Sequence, residues 1–179
     1  MIEGMETERL RLRPITENDV DYLVELDSDP AVMHFINGGK PTPRAEVEGI
    51  VRRSLGHRWL AFDKSTGEFV GWFGLRVSDD TGRVRELGYR LRRAEWGKGL
   101  ATEGSLALID TAFTAPGTDR ICAQTMTVNT ASRRVMERCG LHYVRTFHLE
   151  WRETIEGTEL GDVEYEITKS EWERRDQLV

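Results

Sequence analysis

The sequence predicts an α/β fold in which a mixed β-sheet carries helices on both faces. Segments that alternate apolar and polar side chains, typical of strands, are separated by segments with helical spacing of apolar residues. The predicted order is one strand, several helices, a three-strand meander, a helix, a strand, a helix and two strands, which combines antiparallel and crossover connections. The chain has 179 residues, of which 39% are hydrophobic. We therefore expect residues 1–179 to form a single domain.

The N-terminal part of the chain is predicted to be one strand followed by a helical layer. Arg9–Pro14 alternates apolar and charged residues and is the first predicted strand. Thr16 is a candidate N-cap, and the sequence Asp29-Pro30 ends the helix that it begins. The glycines and prolines within 37–43 separate two further helical segments. The predicted helices span residues 17–27, 32–36 and 43–55.

The rest of the chain alternates strands and helices. The sequence Ser65-Thr66-Gly67 predicts a hairpin between two apolar strands. Gly88, inside a later strand, is consistent with a bulge or a close backbone approach. The predicted strands span residues 59–63, 69–75, 84–91, 121–128, 142–151 and 162–168. The predicted helices span residues 100–113 and 129–138, and the charged tail over 171–179 is expected to be a frayed helix.

Composition and charge exclude several classes of protein. The net charge of −6 argues against a nucleic-acid binder. No apolar run approaches the ~20 residues of a membrane-spanning helix, and the N-terminus lacks the basic and apolar regions of a signal peptide. Cys122 and Cys139 have neither metal-binding nor redox spacing, which favours free thiols in a reducing cytoplasm. We therefore predict a cytoplasmic protein without a metal site.

The segment between the strand ending at Leu91 and the helix beginning near Leu100 predicts an anion site. Gly97, Gly99 and Ala101 alternate there, so small residues line one side of a tight turn and let backbone N–H groups approach a bulky anion. The first-turn N–H groups and positive dipole end of the following helix lie at the same place. The segment is therefore predicted to cradle a pyrophosphate.

The motif differs from two common phosphate-binding loops. It lacks the Lys-Ser/Thr pair of the P-loop, and Thr102 stands where the dinucleotide fingerprint needs its third glycine. The run W-G-K-G-L-A-T-E instead resembles the acetyl-CoA loop of the GNAT N-acetyltransferases, whose pattern is Gln/Arg-x-x-Gly-x-Gly/Ala. Trp96 stands where that pattern has Gln or Arg, and a Trp at this position is typical of the RimJ/RimL branch.

A second segment strengthens the resemblance. The run from Asn129 to Leu141 is similar to the N-x-x-S-x-x-x-x-x-x-x-G-[FL] segment of the same family. Asn129 is also a good helix N-cap on physical grounds alone. The order of predicted elements agrees with the GNAT fold, so the resemblance extends from Thr7 to Thr168. It implies a central, mostly antiparallel sheet with helices on both faces.

The resemblance implies acetyl-CoA as co-substrate and no metal. The family's strand splays near Gly88, where free backbone groups bind the pantetheine, and its Asn faces the same arm. Arg92, Arg93, Lys98 and Arg133 are candidates to balance the phosphates, although charged turns are usually just solvated. The residues expected to contact acetyl-CoA are Tyr89, Leu91, Trp96, Gly97, Lys98, Gly99, Leu100, Ala101, Thr102 and Asn129.

Two residues are candidates for catalysis. Acyl transfer to an amine needs a proton acceptor, and Glu86, in the strand that leads to the loop, is the leading candidate. The alternative is a solvated Glu86 paired with Arg11 or Arg85. Met136 occupies the position where many GNAT enzymes carry a tyrosine that protonates the departing thiolate. Ser132, one turn earlier on the same helix face, is the expected thiolate partner, as in RimJ/RimL relatives, or else a hydroxyl that satisfies a helix carbonyl.

Other side chains could contribute to the site. His34, His148 and Glu150 are rival bases, whereas His57 and His142 are expected to be structural. Most of an aromatic set is expected in the core, with some members lining an acceptor pocket that segment 37–43 borders as a mobile lid. This set comprises Phe35, Trp59, Trp72, Phe73 and Trp151.

The sequence thus predicts an acetyl-CoA-dependent N-acetyltransferase that acts by direct attack of a primary amine in a ternary complex, without a covalent acyl-enzyme. The acceptor is left open among a protein N-terminus, a polyamine, an amino acid and an amine antibiotic, and a homodimer is left open too. Two alternatives are a regulatory module that binds acyl-CoA without turnover, which Met136 makes conceivable, and a nucleotide-binding α/β protein.

Overall fold

The computed structural model describes residues 4–150 and 155–175, which form an eight-stranded sheet with six α-helices. The strands are β1 (Met5–Glu6), β2 (Leu10–Pro14), β3 (Arg58–Asp63), β4 (Phe69–Val77), β5 (Val84–Leu91), β6 (Arg120–Met126), β7 (His142–Phe147) and β8 (Asp162–Thr168). The helices are α1 (Val20–Asp27), α2 (Pro30–Asn37), α3 (Arg44–Ser54), α4 (Leu100–Thr114), α5 (Thr130–Arg138) and α6 (Lys169–Arg175). Single 3-10 turns cover residues 17–19, 93–95 and 158–160.

The sheet is mostly antiparallel, with the strand order β1-β2-β3-β4-β5-β6-β8-β7. Among its described strands, β5 and β6 form the one parallel pair. The crossover between them contains α4, which is the usual way to connect parallel neighbours. The predicted class, a mixed and mostly antiparallel sheet, is confirmed.

Helices cover both faces of the sheet and bury a separate apolar cluster on each. On one face, Leu108 and Phe113 of α4 and Met136 of α5 pack on β4, β5 and β6. On the other face, Leu23 of α1 and Val51 of α3 pack on β3 and β4. Each fully buried side chain of this size stabilises the fold by about 1.5–3 kcal/mol. The fold therefore positions β5 in the middle of the sheet, between two helical layers.

Gly104 determines how closely α4 approaches the sheet. A Cβ at this position would lie 2.3 Å from the ring of Phe73 on β4, so only glycine permits the contact. Gly104 lies one turn after the beginning of α4. The start of α4 is thereby held close to the strands that it follows.

Short helices begin and end where their capping residues predict. Asp29 accepts a hydrogen bond from the Ala31 N–H at 2.8 Å, and Pro30 occupies the first helical position of α2. Gly38, with φ of 76°, ends α2 in the left-handed conformation. The helix predicted over 32–36 therefore spans a full Pro30–Asn37.

Several predicted boundaries were wrong at the C-terminal end of the sheet. β7 ends at Phe147 rather than at 151, and β6 ends at Met126 rather than at 128. β8 inserts between β6 and β7, so β7 is an edge strand with exposed side chains on both faces. The alternation of apolar and polar residues in the sequence of β7 therefore carries little information about where the strand ends. Trp151 lies outside the described residues, and no helix among the described residues could cross a membrane.

Candidate active site

The sheet opens between β5 and β6. The two strands pair over three positions, with Val84, Arg85 and Glu86 opposite Arg120, Ile121 and Cys122. Beyond Glu86, β5 continues to Leu91 paired only with β4, while β6 continues to Met126 paired with β8. The edge of β5 from Leu87 to Leu91 therefore offers backbone groups to a ligand in the opening. Tyr89 and Leu91, the residues predicted to make backbone contacts, lie on this edge.

The predicted cradle forms a turn directly after β5. Gly97 and Gly99 adopt φ of 73° and 81°, which favours glycine strongly. A Cβ at Gly97 would meet no atom within 4 Å, so the glycine leaves open space beside the loop. α4 begins at Leu100, and its N-cap Gly99 has no side chain to cap the first-turn N–H groups of Leu100, Ala101 and Thr102. The turn can therefore hold an anion at the positive end of α4.

Trp96 ties the cradle to the end of β5. Its indole Nε1 donates a hydrogen bond to the Leu91 carbonyl at 3.0 Å, while 49% of the residue is exposed. The nearby Lys98 pairs with Glu95 at 3.0 Å. Trp96 thus positions the loop, and one acceptor site of the Leu91 carbonyl is already engaged.

Arg9, which was not among the predicted site residues, contacts both the cradle loop and the first turn of α4. Its Nη1 donates to the Lys98 carbonyl at 2.8 Å, and its Nε contacts Glu103 at 2.7 Å. The hydroxyl of Thr7 donates to the same Glu103 carboxylate at 2.5 Å. Burial raises the pKa of the Glu103 carboxyl, but these hydrogen bonds from Thr7 and Arg9 outweigh it and hold the pKa below its usual value. The first turn of α4 is therefore anchored to the β1–β2 segment.

Ser132 lies in the first turn of α5 and contacts Tyr89 of β5. The Tyr89 hydroxyl lies 2.9 Å from Ser132 Oγ and 3.0 Å from the Ser132 carbonyl oxygen, so either hydroxyl can be the donor between them. Burial raises the pKa of the Tyr89 phenol, which keeps it protonated. Asn129 Oδ1 accepts from the Ser132 N–H at 3.2 Å, confirming the predicted N-cap. Met136 is buried in the core.

Several charged or nucleophilic residues near the predicted cradle and α5 are bonded to other parts of the protein or are buried. Arg92 donates to the Phe69 carbonyl at 2.9 Å, and Arg133 donates to the Tyr165 hydroxyl and the Thr127 carbonyl. Burial raises the pKa of Cys139 to about 12, so its thiol is not a ready nucleophile. Among the described residues no group of His, Cys, Asp and Glu could hold a metal ion.

Glu86 stands at the point where β5 and β6 part. Its carboxylate pairs with Arg76 of β4 at 2.7 Å, and its side chain is 22% exposed. The alternative partners were wrong: Arg11 pairs with Glu6, and the Nε of Arg85 donates to Thr118. Alternation along β5 turns Glu86 to the face opposite Leu87 and Tyr89. Glu86 and Ser132 therefore approach the opening from opposite faces.

An open cleft of about 780 Å³ lies on the Glu86 face of the sheet. The end of α3 forms one wall, and β3, β4 and β5 form the floor. Guanidinium groups and one indole dominate the lining. His57 also lines the cleft, and its pKa is lowered by burial and then by the charges of Arg58 and Arg76, which favours the neutral imidazole. The charged and aromatic residues that line the cleft are Arg53, His57, Arg58, Trp72, Arg76, Arg85 and Arg90.

The rival residues are less well placed. His34 is exposed on α2, where it stacks on Phe35, and His148 and Glu150 are exposed beyond β7. His57, expected to be structural, lines the cleft instead. Of the aromatic set, Trp59 and Phe73 are buried in the core, and Trp72 lines the cleft.

Comparison with known proteins identifies the family. Residues 9–142 match the acetyltransferase (GNAT) domain model. The chain belongs to the GNAT acetyltransferase family. The FsC-acetyl coenzyme A-N(2)-transacetylase of Aspergillus fumigatus is 33% identical over 95% of this chain and 78% of its own length. The chain is therefore an acetyl-CoA-dependent GNAT N-acetyltransferase.

Two solved structures show the same fold. The spermidine N-acetyltransferase of Vibrio cholerae, in complex with CoA and spermine, has a TM-score of 0.76 at 18% identity, covering 91% of this chain and 97% of its own. The ribosomal-protein α-N-acetyltransferase RimL, in complex with CoA, has a TM-score of 0.76 at 19% identity, covering 93% of this chain and 98% of its own. At these identities the likeness concerns the fold.

Proposed function

We propose that this GNAT enzyme, of the RimJ/RimL type, transfers an acetyl group to a primary amine by direct attack in a ternary complex. Glu86 carries the proposal, because it is the last residue of β5 paired with β6 and its carboxylate contacts Arg76, which lines the cleft. Acetyl-CoA would enter from the cradle side and the amine from the cleft side. Trp96 of the cradle supports the assignment to the RimJ/RimL branch.

The cradle fits the pyrophosphate of acetyl-CoA. The first-turn N–H groups of Leu100, Ala101 and Thr102 would donate to its oxygens, and the glycines at Gly97 and Gly99 keep the approach clear. Backbone groups of Tyr89 and Leu91 on the open edge of β5 would pair with the pantetheine arm, as would the Asn129 side chain. Trp96 and Lys98 would hold the loop in the binding conformation.

Two side chains would handle protons. When bound, acetyl-CoA supplies a thioester whose acyl carbon joins the amine nitrogen while the carbon–sulfur bond breaks and the sulfur keeps the electron pair. The Glu86 carboxylate would accept the proton that the amine loses, as its contact with Arg76 loosens. The Ser132 hydroxyl would donate a hydrogen bond to the departing sulfur. The Tyr89 hydroxyl donates to the Ser132 carbonyl oxygen; if its proton turned instead to Ser132 Oγ, the Ser132 proton would be free for that role.

The alternative of a CoA-binding module without turnover makes a different prediction from the same fold. Met136 is buried and stands where many GNAT enzymes carry a tyrosine, so α5 has no phenol at that position to protonate the thiolate. The alternative without turnover therefore requires that Ser132 does not assist the thiolate either. Ser132 instead shares a hydrogen bond with a protonated tyrosine. That contact favours the catalytic proposal. The cytoplasmic location and the single domain over 1–179 belong to the proposal too.

A thiol-release assay with acetyl-CoA and a panel of amines tests the proposal. We expect amine-dependent release of CoA that exceeds slow hydrolysis, together with N-acetylated product identified by mass spectrometry. Gly99→Val provides a matched negative control, because it removes the cradle and leaves the cleft intact. CoA binding by calorimetry without release on any amine would favour the regulatory alternative.

A further inference from the structure

The cleft on the Glu86 face has a charge opposite to that of the whole protein. The chain carries a net charge of −6. The cleft nevertheless contains Arg53 of α3, Arg58 of β3, Arg76 of β4 and Arg90 of β5. Among the described residues, the carboxylates that contact these arginines are Asp27, with Arg90, and Glu86, with Arg76. A local excess of positive charge in an acidic protein attracts anionic groups to this place.

Arg58 forms no ion pair of its own among the described residues, although Asp27 lies near enough to act on it. Its guanidinium stacks on the Trp72 ring at 3.9 Å, and its Nε is buried without a hydrogen-bond partner among the described residues. Burial, then the charge of Arg90, lowers the pKa of Arg58 to about 10, while Asp27, which pairs with Arg90, opposes the lowering; Arg58 is still a cation at neutral pH. Arg58 is half-buried, and a ligand that supplies an anionic oxygen would compensate its charge and satisfy its buried Nε.

Trp72 adds a second unsatisfied donor beside Arg58. The residue is 9% exposed, and its buried Nε1 has no hydrogen-bond partner among the described residues. Trp72 also lines the cleft. A buried indole N–H normally finds an acceptor. Two unpartnered donors on adjacent side chains thus point to an acceptor atom that the protein itself does not provide.

The strand register places Trp72 between Arg58 and Glu86. Arg58 lies opposite Gly74, which lies opposite Gly88. The Trp72 ring packs over both glycines, since a Cβ at either position would lie 3.5 to 3.6 Å from it, and the indole forms the floor of this part of the cleft. Glu86 lies two residues before Gly88 on the same face. With strands about 4.8 Å apart and a rise of about 3.4 Å per residue, the Cα atoms of Arg58 and Glu86 are roughly 12 Å apart. The Arg58 guanidinium lies over the Trp72 ring and the Glu86 carboxylate contacts Arg76, so a small molecule with an amine and an acid group could lie across the indole between them.

We propose that the acceptor of this enzyme is an amine that also carries an anionic oxygen group, above all a carboxylate. Arg58 binds that group, supported by Trp72 Nε1, while the amine lies at Glu86. The inference rests on the proposed acetyltransferase function and narrows its acceptor class. It separates this chain from the spermidine N-acetyltransferase with the same fold, which binds a polycation. Polyamines are repelled by the arginines.

Matched acceptor pairs test this preference. Leucine is compared with leucinamide, phosphoethanolamine with ethanolamine, and spermidine is added as a polycation. We expect kcat/KM to be about 10- to 100-fold higher for the acid member of a pair, the size of a hydrogen bond to a charged group. The leucine pair reports a carboxylate and the ethanolamine pair reports a phosphate, so the preferred oxyanion is identified in the same experiment.

Variants locate the preference at Arg58. Arg58→Gln should reduce kcat/KM for the acid about 10- to 100-fold and leave the amide nearly unchanged, so that the ratio approaches one. Arg58→Lys keeps the charge but loses the planar fork, and should retain part of the preference. Arg83→Gln removes an exposed arginine outside the cleft and serves as the matched control. Binding of N-acetyl-leucine and N-acetyl-leucinamide by calorimetry gives a readout that does not depend on turnover.

The outcomes separate this inference from the function on which it rests. No acetylation of any amine would overturn the acetyltransferase proposal and this inference with it. Acetylation in which amides or spermidine match the acids would overturn the anionic acceptor alone. Equal loss of acid and amide activity in Arg58→Gln would also overturn it. If neither Arg58 variant folds, the wild-type preference decides, and the absence of a preference for the acids overturns the inference.

Discussion

The two faces of β5 are built from different kinds of sequence information. On the side of α4 and α5, here named the cofactor face after its proposed ligand, one continuous segment after Leu91 forms the cradle through glycine conformations and the start of α4. On the Glu86 side, here named the acceptor face because the amine is proposed to bind there, the cleft is assembled from single residues on α3, β3, β4 and β5. The first depends mostly on the backbone and the second on side chains. Backbone sites tolerate few changes, whereas side-chain sites can change specificity one residue at a time.

The largest effect is expected at the backbone face. Gly99→Val should reduce CoA affinity by about 100-fold or more, the loss of one or two charge-assisted hydrogen bonds, because a β-branched residue is strained at φ of 81° and forces the turn into another conformation. Calorimetry with CoA measures the change. Gly67→Val is the matched control, since it has φ of 73° in an exposed hairpin. Unchanged affinity in a folded Gly99→Val protein would show that the cradle assignment is wrong.

The next effect is expected at the junction of the two faces. Glu86→Gln should lower kcat by about 100-fold near neutral pH, as for a positioned proton acceptor, and leave CoA affinity nearly intact. Rates at about pH 6 to pH 9 with a saturating amine provide the measurement. Arg76→Gln breaks the same ion pair but keeps the carboxylate, so it separates the loss of the pair from the loss of the base. Equal rates in wild type and Glu86→Gln would dismiss Glu86 and favour His57.

A smaller effect is expected on the cofactor face at α5. Ser132→Ala should cost about 10-fold in the acetyl-transfer step, or about 1.4 kcal/mol of barrier, because a thiolate needs little help to leave. Tyr89→Phe should give a comparable loss if Tyr89 donates to Ser132 Oγ. Single-turnover kinetics with donors of different thiol acidity measure the step, and the defect should shrink as the leaving thiol becomes more acidic. A defect confined to CoA binding would leave Ser132 as a helix residue only.

The smallest effect is a titration on the acceptor face. Burial, Arg58 and Arg76 lower the pKa of His57, so its imidazole should titrate below the ordinary histidine value of about 6.5. Protonation of His57 therefore favours the unfolded chain. The stability that comes from the neutral imidazole is fully present above the ordinary pKa of the unfolded state, and it is lost as the pH falls from there through the lower pKa of the folded state. NMR of the imidazole measures the midpoint, which should move upward in Arg76→Gln. A midpoint above the ordinary value would contradict the cationic character of the cleft.

The turn and the helix starts around the cradle could be predicted because their signals are local. Glycines at φ that only glycine favours, an N-cap such as Asn129 and the end of a strand all lie within a few residues of one another. The strand order could not be predicted in the same way. β8 pairs with both β6 and β7, and nothing in the period of any of these strands specifies that neighbour.

The acceptor face could not be predicted because its members are far apart in the chain. Arg58, Arg76 and Arg90 each read as an ordinary charged residue at or within a strand, and only the register places them on one face. Glu86 was recognised, but its partner Arg76 was not, for the same reason. Trp72 was named only as a member of an aromatic set.

The anchoring of the cradle by Arg9 has a consequence for how the protein is made and handled. Arg9 and Glu103 are 94 positions apart in the chain, yet both belong to one hydrogen-bonded group with Thr7. During synthesis the N-terminal segment emerges long before its partner, so the loop can acquire its final form only after more than half of the polypeptide has left the ribosome. A fusion tag or cleavage that disturbs residues 7–9 should therefore weaken CoA binding at a loop almost a hundred residues away.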